Sequence, residues 1–446
     1  MKMTESYRTI LARVDQAAQI LRLPEDLHSQ LRKTKRFHGA NCDVTMDSGK
    51  VQSFPGYLAQ DNNILGPYSG GLFMDPNATI DEANAKAKAM TFKHAVANIP
   101  FGGAKSFIAV DPRLLSEKEM KDLLWKFIEE LRDVVGPDRS RFGPDFRTNS
   151  FHMAALANAF IKQKPFDTPG RAIASGKPLN AGGIPGRTRA TALGAMYILR
   201  EFFRAHGELG CFQGKSVVLQ GFGNVGSNLA RLFYEPDLKL IAVADEYGAI
   251  ANPNGLDLQK LLAYQQSNSQ HTVAMFPEAE AIDPTTILEQ KCDILVPAAI
   301  SDVIHPGNAS RIKAQVVLEL ANNPTVLGSD EILRDNGILI IPDILANAGG
   351  TTVSWFEWEC NMQRNDRGAF KPTRANVESR LDKVMTGSFQ KVSALWFKYK
   401  DKGLGISTLR IAAHVLALHR LSITARDTTK DYGKNYKDLL EIGDEY

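Results

Sequence analysis

Gly221-Phe222-Gly223-Asn224-Val225-Gly226 lies between a short apolar run, Lys215–Gln220, and a segment of helical patterning, Ser227–Tyr234. A G-x-G-x-x-G string is weak evidence alone, because glycine turns are common. Its surroundings narrow the choice: a strand enters, a helix leaves, a second apolar run follows at Leu238–Ala244, and Asp245 falls close to the spacing of about 20 residues that a ribose-binding carboxylate takes in a βαβ unit. The glycines permit a tight turn and close backbone approach, which leaves the helix N-terminus to meet a pyrophosphate. Cys292–Val296, Val316–Leu320 and Ile338–Ile341 read as further buried strands, each followed by a break or a helix, so the expected fold is a parallel, doubly wound α/β sheet of the Rossmann type. Asp245 is followed by Glu246, and two carboxylates repel a 2'-phosphate; NAD is therefore favoured, and NADP stays open if a nearby Lys or Arg intervenes.

A chain of 446 residues exceeds a single hydrophobic core, so a second domain is expected. Residues 4–34 carry apolar positions at helical spacing, and Val44–Met46 with Val51–Tyr57 reads as a hairpin turning at Asp47-Ser48-Gly49. Thr79-x-x-Glu82 and Ser116-x-x-Glu119 are capping boxes; the second opens a helix with Met120, Leu123, Leu124, Phe127, Ile128, Leu131 and Val135 on one stripe. The glycine-rich loop Gly182–Gly186, before a helix from Thr188 to about His206, marks a boundary, and from Asn347–Gly350 the chain turns helical to about Ala425. The expected division is 1–186 for substrate binding and assembly, 187–350 for the nucleotide, and 351–446 for helices that return to the first domain, with the tail Arg426–Tyr446 lacking a readable pattern.

Lys+Arg number 53 against Asp+Glu 50, so no basic surface points to nucleic acid. The cysteines Cys42, Cys211, Cys292 and Cys360 are scattered, and His414 and His419 do not have the i, i+4 spacing of a zinc helix, so neither disulfides nor a metal are expected. No run approaches the roughly 18 apolar residues of a membrane span and the N-terminus has no signal-peptide core, which together predict a cytoplasmic protein.

Pro100-Phe101-Gly102-Gly103-Ala104-Lys105 presents a lysine just beyond a helix; in a closed cleft beside other cations its pKa would fall, making it a base near neutrality. This segment, together with Gly66-Pro67-Tyr68-Ser69-Gly70-Gly71-Leu72, Lys93, Gly143-Pro144-Asp145, Gly221–Gly226, Asn347-Ala348-Gly349-Gly350 and Ser354-Trp355-Phe356-Glu357-Trp358, occurs in an order that resembles the glutamate/leucine/phenylalanine/valine dehydrogenase family, and within it the hexameric glutamate enzymes. The resemblance runs from about residue 10 to 420 and implies reversible oxidative deamination of an amino acid to a 2-oxo acid and ammonia. It implies further that Lys105 is the catalytic lysine, Asp145 the carboxylate that shuttles protons, and Lys93 the holder of the substrate α-carboxylate. The backbone at Gly70 and Gly71 would touch substrate, Thr191 and Asn347 the nicotinamide end, and Asn322 the cofactor. Thr191 facing its own helix and Asn322 capping a turn remain open alternatives. Closure of a cleft between the domains, and a homo-oligomer, a hexamer above others, are likewise implied by the resemblance.

Two positions depart from the family pattern. Glutamate enzymes carry a lysine for the substrate side-chain carboxylate where this chain has Ser69, and an arginine is common where it has Phe73. Serine cannot make the ion pair, and an unpaired buried carboxylate costs several kcal/mol. With Phe101, Thr351 and Ser354 lining the same pocket by resemblance, the expectation is a neutral side chain. The competing expectation is a catalytically silent subunit that binds ligand and regulates an active relative, against which stands the retention of Lys93, Lys105 and Asp145.

Overall fold

The computed structural model describes residues 3–167, 169–207, 210–234, 237–267, 271–363 and 372–429. Two compact units emerge, one of Met1–Arg187, Thr351–Arg380 and Val415–Tyr446, the other of Thr188–Gly350 and Leu381–His414.

The first unit begins with α1 (Glu5–Ile20) and α2 (Glu25–Arg32), then runs β1 (Arg36–Thr45), β2 (Val51–Asn62), β3 (Tyr68–Met74), α3 (Ile80–Val96), β4 (Gly102–Ile108), α4 (Glu117–Leu131), β5 (Ser140–Pro144) and α5 (Ser150–Gln163). The hairpin predicted at Asp47-Ser48-Gly49 is present, but its strands extend much further, pairing Arg36 with Gln60. Among the described residues the strands form a five-stranded sheet in the order β1-β2-β4-β3-β5, with β3 parallel to both of its neighbours. Side chains alternate between faces of a sheet. Leu58, Tyr68, Leu72, Ala104, Ile108 and Phe142 join the main core beneath α4 and α5, whereas Tyr57, Ala59, Phe73 and Phe107 pack against Ala83 and Ala87 of α3. The expected stripe of α4 is buried throughout, and its capping box is complete, Ser116 and Glu119 each accepting from the other's backbone N–H.

The second unit is built from α6 (Ala190–Ala205), β6 (Ser216–Gln220), α7 (Asn224–Ala230), β7 (Lys239–Asp245), β8 (Gly248–Ala251), α8 (Leu258–Ser267), β9 (Glu280–Ile282), β10 (Cys292–Pro297), α9 (Pro306–Ala309), β11 (Ala314–Leu318), α10 (Ser329–Asp335), β12 (Leu339–Ile341) and α11 (Asp343–Ala346). Among the described residues its sheet has seven strands in the order β12-β11-β10-β6-β7-β8-β9. The five from β12 to β7 are parallel, as expected, and β8 and β9 add an antiparallel edge that the apolar runs did not announce. Chain order reverses at β6, so the glycine turn sits at the switch point of the sheet, where open α/β folds bind ligands. α7 starts at Asn224, three residues before the predicted Ser227, because the turn feeds directly into the helix; N–H groups of Leu232 and Phe233 then bond back to Leu229 and Ala230, tightening its end.

α12 (Gly349–Met362), α13 (Arg374–Tyr399) and α14 (Leu409–Thr429) close the described chain. α12 and the later part of α14 pack back on the first unit, where Trp358 donates to the carbonyl of Pro137 at 2.9 Å and Arg420 to those of Ala95 and Val96 at 2.8 Å. Residues 381–414 group instead with the second unit, which refines the expected return of all of 351–446. Arg200 on α6 grips Asp382 at 2.7 Å, and Arg410 is enclosed by Glu319, Asp330 and Asp343. Beyond Thr429 the unpatterned tail lies outside the described residues. No helix among them is long and apolar enough to cross a membrane.

Candidate functional site

Parity along three adjacent strands gathers the first unit's candidates. Ser69 and Gly71 share a face with Phe73 of β3, Gly103 and Lys105 with Phe107 of β4, and register sets Arg141 beside Ser69 and Gly143 beside Gly71 on β5. Two residues past Gly143 comes Asp145, so the same period carries it to this face. Lys105, 3 % exposed, donates from Nζ to Asp145 Oδ2, and the pair spans Gly71, where a Cβ would come within 2.6 Å of that oxygen. Gly70 is just as confined, because its Cβ would meet the carbonyl oxygen of Ala104 at 1.7 Å. The Asp145 backbone N–H donates to Thr148 Oγ1 at 2.8 Å, and the threonine hydroxyl donates to the carbonyl of Leu72 at 2.8 Å, which fixes the loop to β3.

Burial pulls the Lys105 amine below its ordinary range, with the Lys86 cation adding to the effect and Asp145 opposing it. For Asp145 burial acts upward, but Lys105 and Lys86 outweigh it and hold the carboxyl at about 2. Lys86 lies 4.1 Å above the Phe73 ring, so the phenylalanine that departs from the family pattern forms an apolar floor for two cations. Lys93 is buried on the last turn of α3. Next to it, His94 donates from Nδ1 to the carbonyl of Gly102 at 2.9 Å, and its Nε2 receives the Thr351 hydroxyl at 2.7 Å. Burial holds this imidazole at about 3, the cations Lys93 and Arg141 contributing, so it is neutral and its tautomer is set by these two bonds.

Around Ser69 the pocket is more cationic than the sequence suggested. Arg141 is 1 % exposed; its guanidinium lies 4.3 Å from the Phe101 ring centre and 5.7 Å from that of Trp358. Nη2 donates to the carbonyl of Ser354 at 3.4 Å, and Arg187 donates from Nε to the hydroxyl of the same serine at 2.9 Å. Phe101 and Ser354 thus meet at Arg141, which is level with Ser69, while Arg187 bonds Ser354 and Thr351 bonds His94, whose ring lies edge-on to Phe101. Counting back from Asp145 in steps of two would have placed Arg141 there, but only once β5 was known to be a strand.

The nucleotide candidates gather in the second unit. Gly221 has φ +103°, and a Cβ on Gly226 would lie 1.9 Å from the Gly221 carbonyl oxygen, so both glycines are required by the turn itself. Gly223 differs: a Cβ there meets nothing within 4 Å, so its bareness leaves open space at the turn, as a close ligand needs. Phe222 is buried beneath the turn, while Asn224 and Val225 begin α7. Asn347 donates from Nδ2 to the carbonyls of Leu320 and Ala321 and to Asn322 Oδ1, each at 3.2 Å, leaving its buried Oδ1 without a donor among the described residues. An unmet acceptor and an open glycine turn fit a nicotinamide dinucleotide. Thr191 lies half-buried on the first turn of α6. The Asp245 carboxylate is already engaged, accepting from the N–H groups of Tyr247, Gly248 and Val273, and Glu246 beside it is exposed. Among the described residues no cluster of three His, Cys, Asp or Glu could hold a metal ion.

Comparison with known proteins agrees with this geometry. Residues 182–428 match the Glutamate/Leucine/Phenylalanine/Valine dehydrogenase family, and residues 34–162 match the Glu/Leu/Phe/Val dehydrogenase dimerisation domain. A glutamate dehydrogenase of Thermotoga maritima is 39% identical over 422 residues, covering 94% of this chain and 97% of its own. Among solved structures, the hetero-hexameric glutamate dehydrogenase of Thermus thermophilus in its Leu-bound form superposes with a TM-score of 0.86 at 29% identity, over 96% of this chain and 99% of that one. The glutamate dehydrogenase of Peptoniphilus asaccharolyticus gives 0.78 at 29% identity, over 94% and 98%. The glycine turn, the lysine–aspartate pair and these matches lead to one statement: the chain belongs to the glutamate/leucine/phenylalanine/valine dehydrogenase family, NAD(P)-using oxidoreductases that act on the CH–NH2 group of amino acids.

Proposed function

We propose that this protein catalyses reversible oxidative deamination of an L-α-amino acid to a 2-oxo acid and ammonia, with residues 1–186 binding substrate and residues 187–350 the nucleotide. The observation that carries this reading is the contact of the buried Lys105 with the half-buried Asp145 across Gly71. Lys93 holds the α-carboxylate. A nicotinamide dinucleotide held at the Gly221–Gly226 turn would supply the hydride acceptor for Cα. Lys105, its amine depressed by burial, takes a proton from the water that adds to the iminium carbon, and Asp145 relays protons to and from the departing ammonia. Thr191, Asn322 and Asn347 orient the nicotinamide end. Asp245 and Glu246 place negative charge by the ribose, which favours NAD over NADP.

The side chain of the substrate admits two readings. Ser69 by itself favours a neutral group. The buried guanidinium of Arg141 beside it favours an anionic one.

A homo-oligomer is supported by the match of 34–162 to a dimerisation domain and by the edge strand β1, which exposes Phe37. The similar Thermus protein is a hetero-hexamer, which keeps a silent subunit in view. Light scattering of the purified protein and steady-state rates with a panel of amino acids, each with NAD and NADP, test these points together. Turnover by the homo-oligomer is expected, faster with NAD; a homomer that reduces neither nucleotide with any amino acid would establish the silent reading instead.

A further inference from the structure

Arg141 combines three conditions rarely met together: it is charged, it is buried, and among the described residues it makes no ion pair. Two of its nitrogens, Nε and Nη1, have no hydrogen-bond partner among the described residues. Glu357, the carboxylate whose charge reaches Arg141, is itself fully buried and already engaged, accepting from Lys177 Nζ at 2.6 Å and from the N–H of Gly176 at 2.8 Å. Arg187 brings a second guanidinium to the same serine, so two cations converge there beside the already engaged Glu357. A desolvated cation without an anion is costly, and ring faces such as those of Phe101 and Trp358 offset only part of the penalty.

The sheet register shows where a compensating anion would sit. Arg141 is level with Ser69, and Gly71, under the Lys105–Asp145 pair, lies two residues further along β3. At roughly 3.3 Å per residue that separation is about 7 Å, on the scale of an extended dicarboxylic amino acid. A substrate with its reacting carbon above Gly71 would therefore carry the end of its side chain to the guanidinium.

The geometry points to Arg141 as the specificity-determining cation of this pocket, presented from β5 beside the serine of β3 and selecting amino acids whose side chain ends in a carboxylate. This rests on the dehydrogenase reading of the same site and replaces the neutral side chain expected from Ser69. The cation that Ser69 lacks is supplied by the neighbouring strand. Guanidinium also presents donors in a fixed plane, which lysine does not, so the two are unequal substitutes.

The test uses the full-length oligomer, as wild type and as Arg141→Met and Arg141→Lys. Rates are measured with L-glutamate, L-aspartate, L-leucine and L-norvaline, and thermal unfolding is followed with glutarate or pentanoate as non-reacting probes. The wild type should give its highest kcat/KM with an acidic amino acid. Arg141→Met should lower the ratio of acidic to neutral kcat/KM by roughly a hundredfold or more, chiefly through KM, and Arg141→Lys should recover part of it. Glutarate, and not pentanoate, should raise the Tm of the wild type, and the methionine variant should lose that shift. A wild type that prefers leucine or norvaline, or a ratio that Arg141→Met leaves in place, would overturn the inference while the dehydrogenase reading stands. If no amino acid is turned over, the dehydrogenase reading fails, and Arg141 is judged by the glutarate shift alone. Should the methionine variant not fold, the lysine variant decides: acidic-to-neutral selectivity equal to that of the wild type, with an undiminished glutarate shift, counts against a fitted guanidinium.

Discussion

Lys105 and Gly71 set the working conditions of the site at the level of single residues. Because burial lowers the Lys105 pKa, the neutral amine proposed to deprotonate water is reached at a lower pH than for a free lysine. For deamination kcat/KM should accordingly rise with pH, with the midpoint of the ascending limb below the ordinary value of 10.5; a profile flat from neutrality to that value would contradict the assigned base. Asp145, held at about 2, stays ionised throughout and adds no second limb in this range. Gly71→Ala makes a different point. Its Cβ would press on the Asp145 carboxylate and force the pair apart, and misplacing a reacting group by about 1 Å can cost about a hundredfold in rate. We expect kcat to fall by about that factor with little change in Tm. Unaltered turnover would show that the Lys105–Asp145 contact is dispensable.

Individual elements differed in how openly the sequence declared them. α4 was legible because one of its faces is wet, so its apolar stripe and capping box stand out against charged neighbours. β6, β7 and β10 to β12 were legible as apolar runs between breaks. β3 and β4 were not, since every residue of both is buried and alternation vanishes when both faces are covered. Their glycines, Gly70, Gly71, Gly102 and Gly103, imitated loops. The motif residues of the site could still be found from family order, which needs no secondary structure. Arg141 could not, because its importance arises from lying level with Ser69 across a parallel pair, and register is a property of the folded sheet. For the same reason Ser69 read alone pointed to a neutral substrate, whereas in its sheet it stands beside a guanidinium.

At the scale of the whole molecule, the chain does not divide into units at one point. Arg410, 2 % exposed, bonds Glu319 through both Nη atoms at 2.6 and 2.8 Å and donates from Nε to Asp330 at 2.7 Å. Glu319 in turn accepts from the Asp343 backbone, and Asp343 from the N–H of Asn323, so the loop bearing Asn322 hangs from the same knot. Removing one partner from such a buried ion cluster costs about 3–5 kcal/mol. The second unit is therefore not a portable cassette, although residues 188–350 contain the entire glycine turn and its sheet. Expressed alone, that stretch should be unstable and bind no dinucleotide by calorimetry, and joining 381–414 to it should restore both; a well-folded, nucleotide-binding 188–350 would show the knot to be ornamental. Any graft of this unit into another protein has to carry the distant Arg410 along, so a junction drawn only around the glycine motif severs the fold it is meant to transplant.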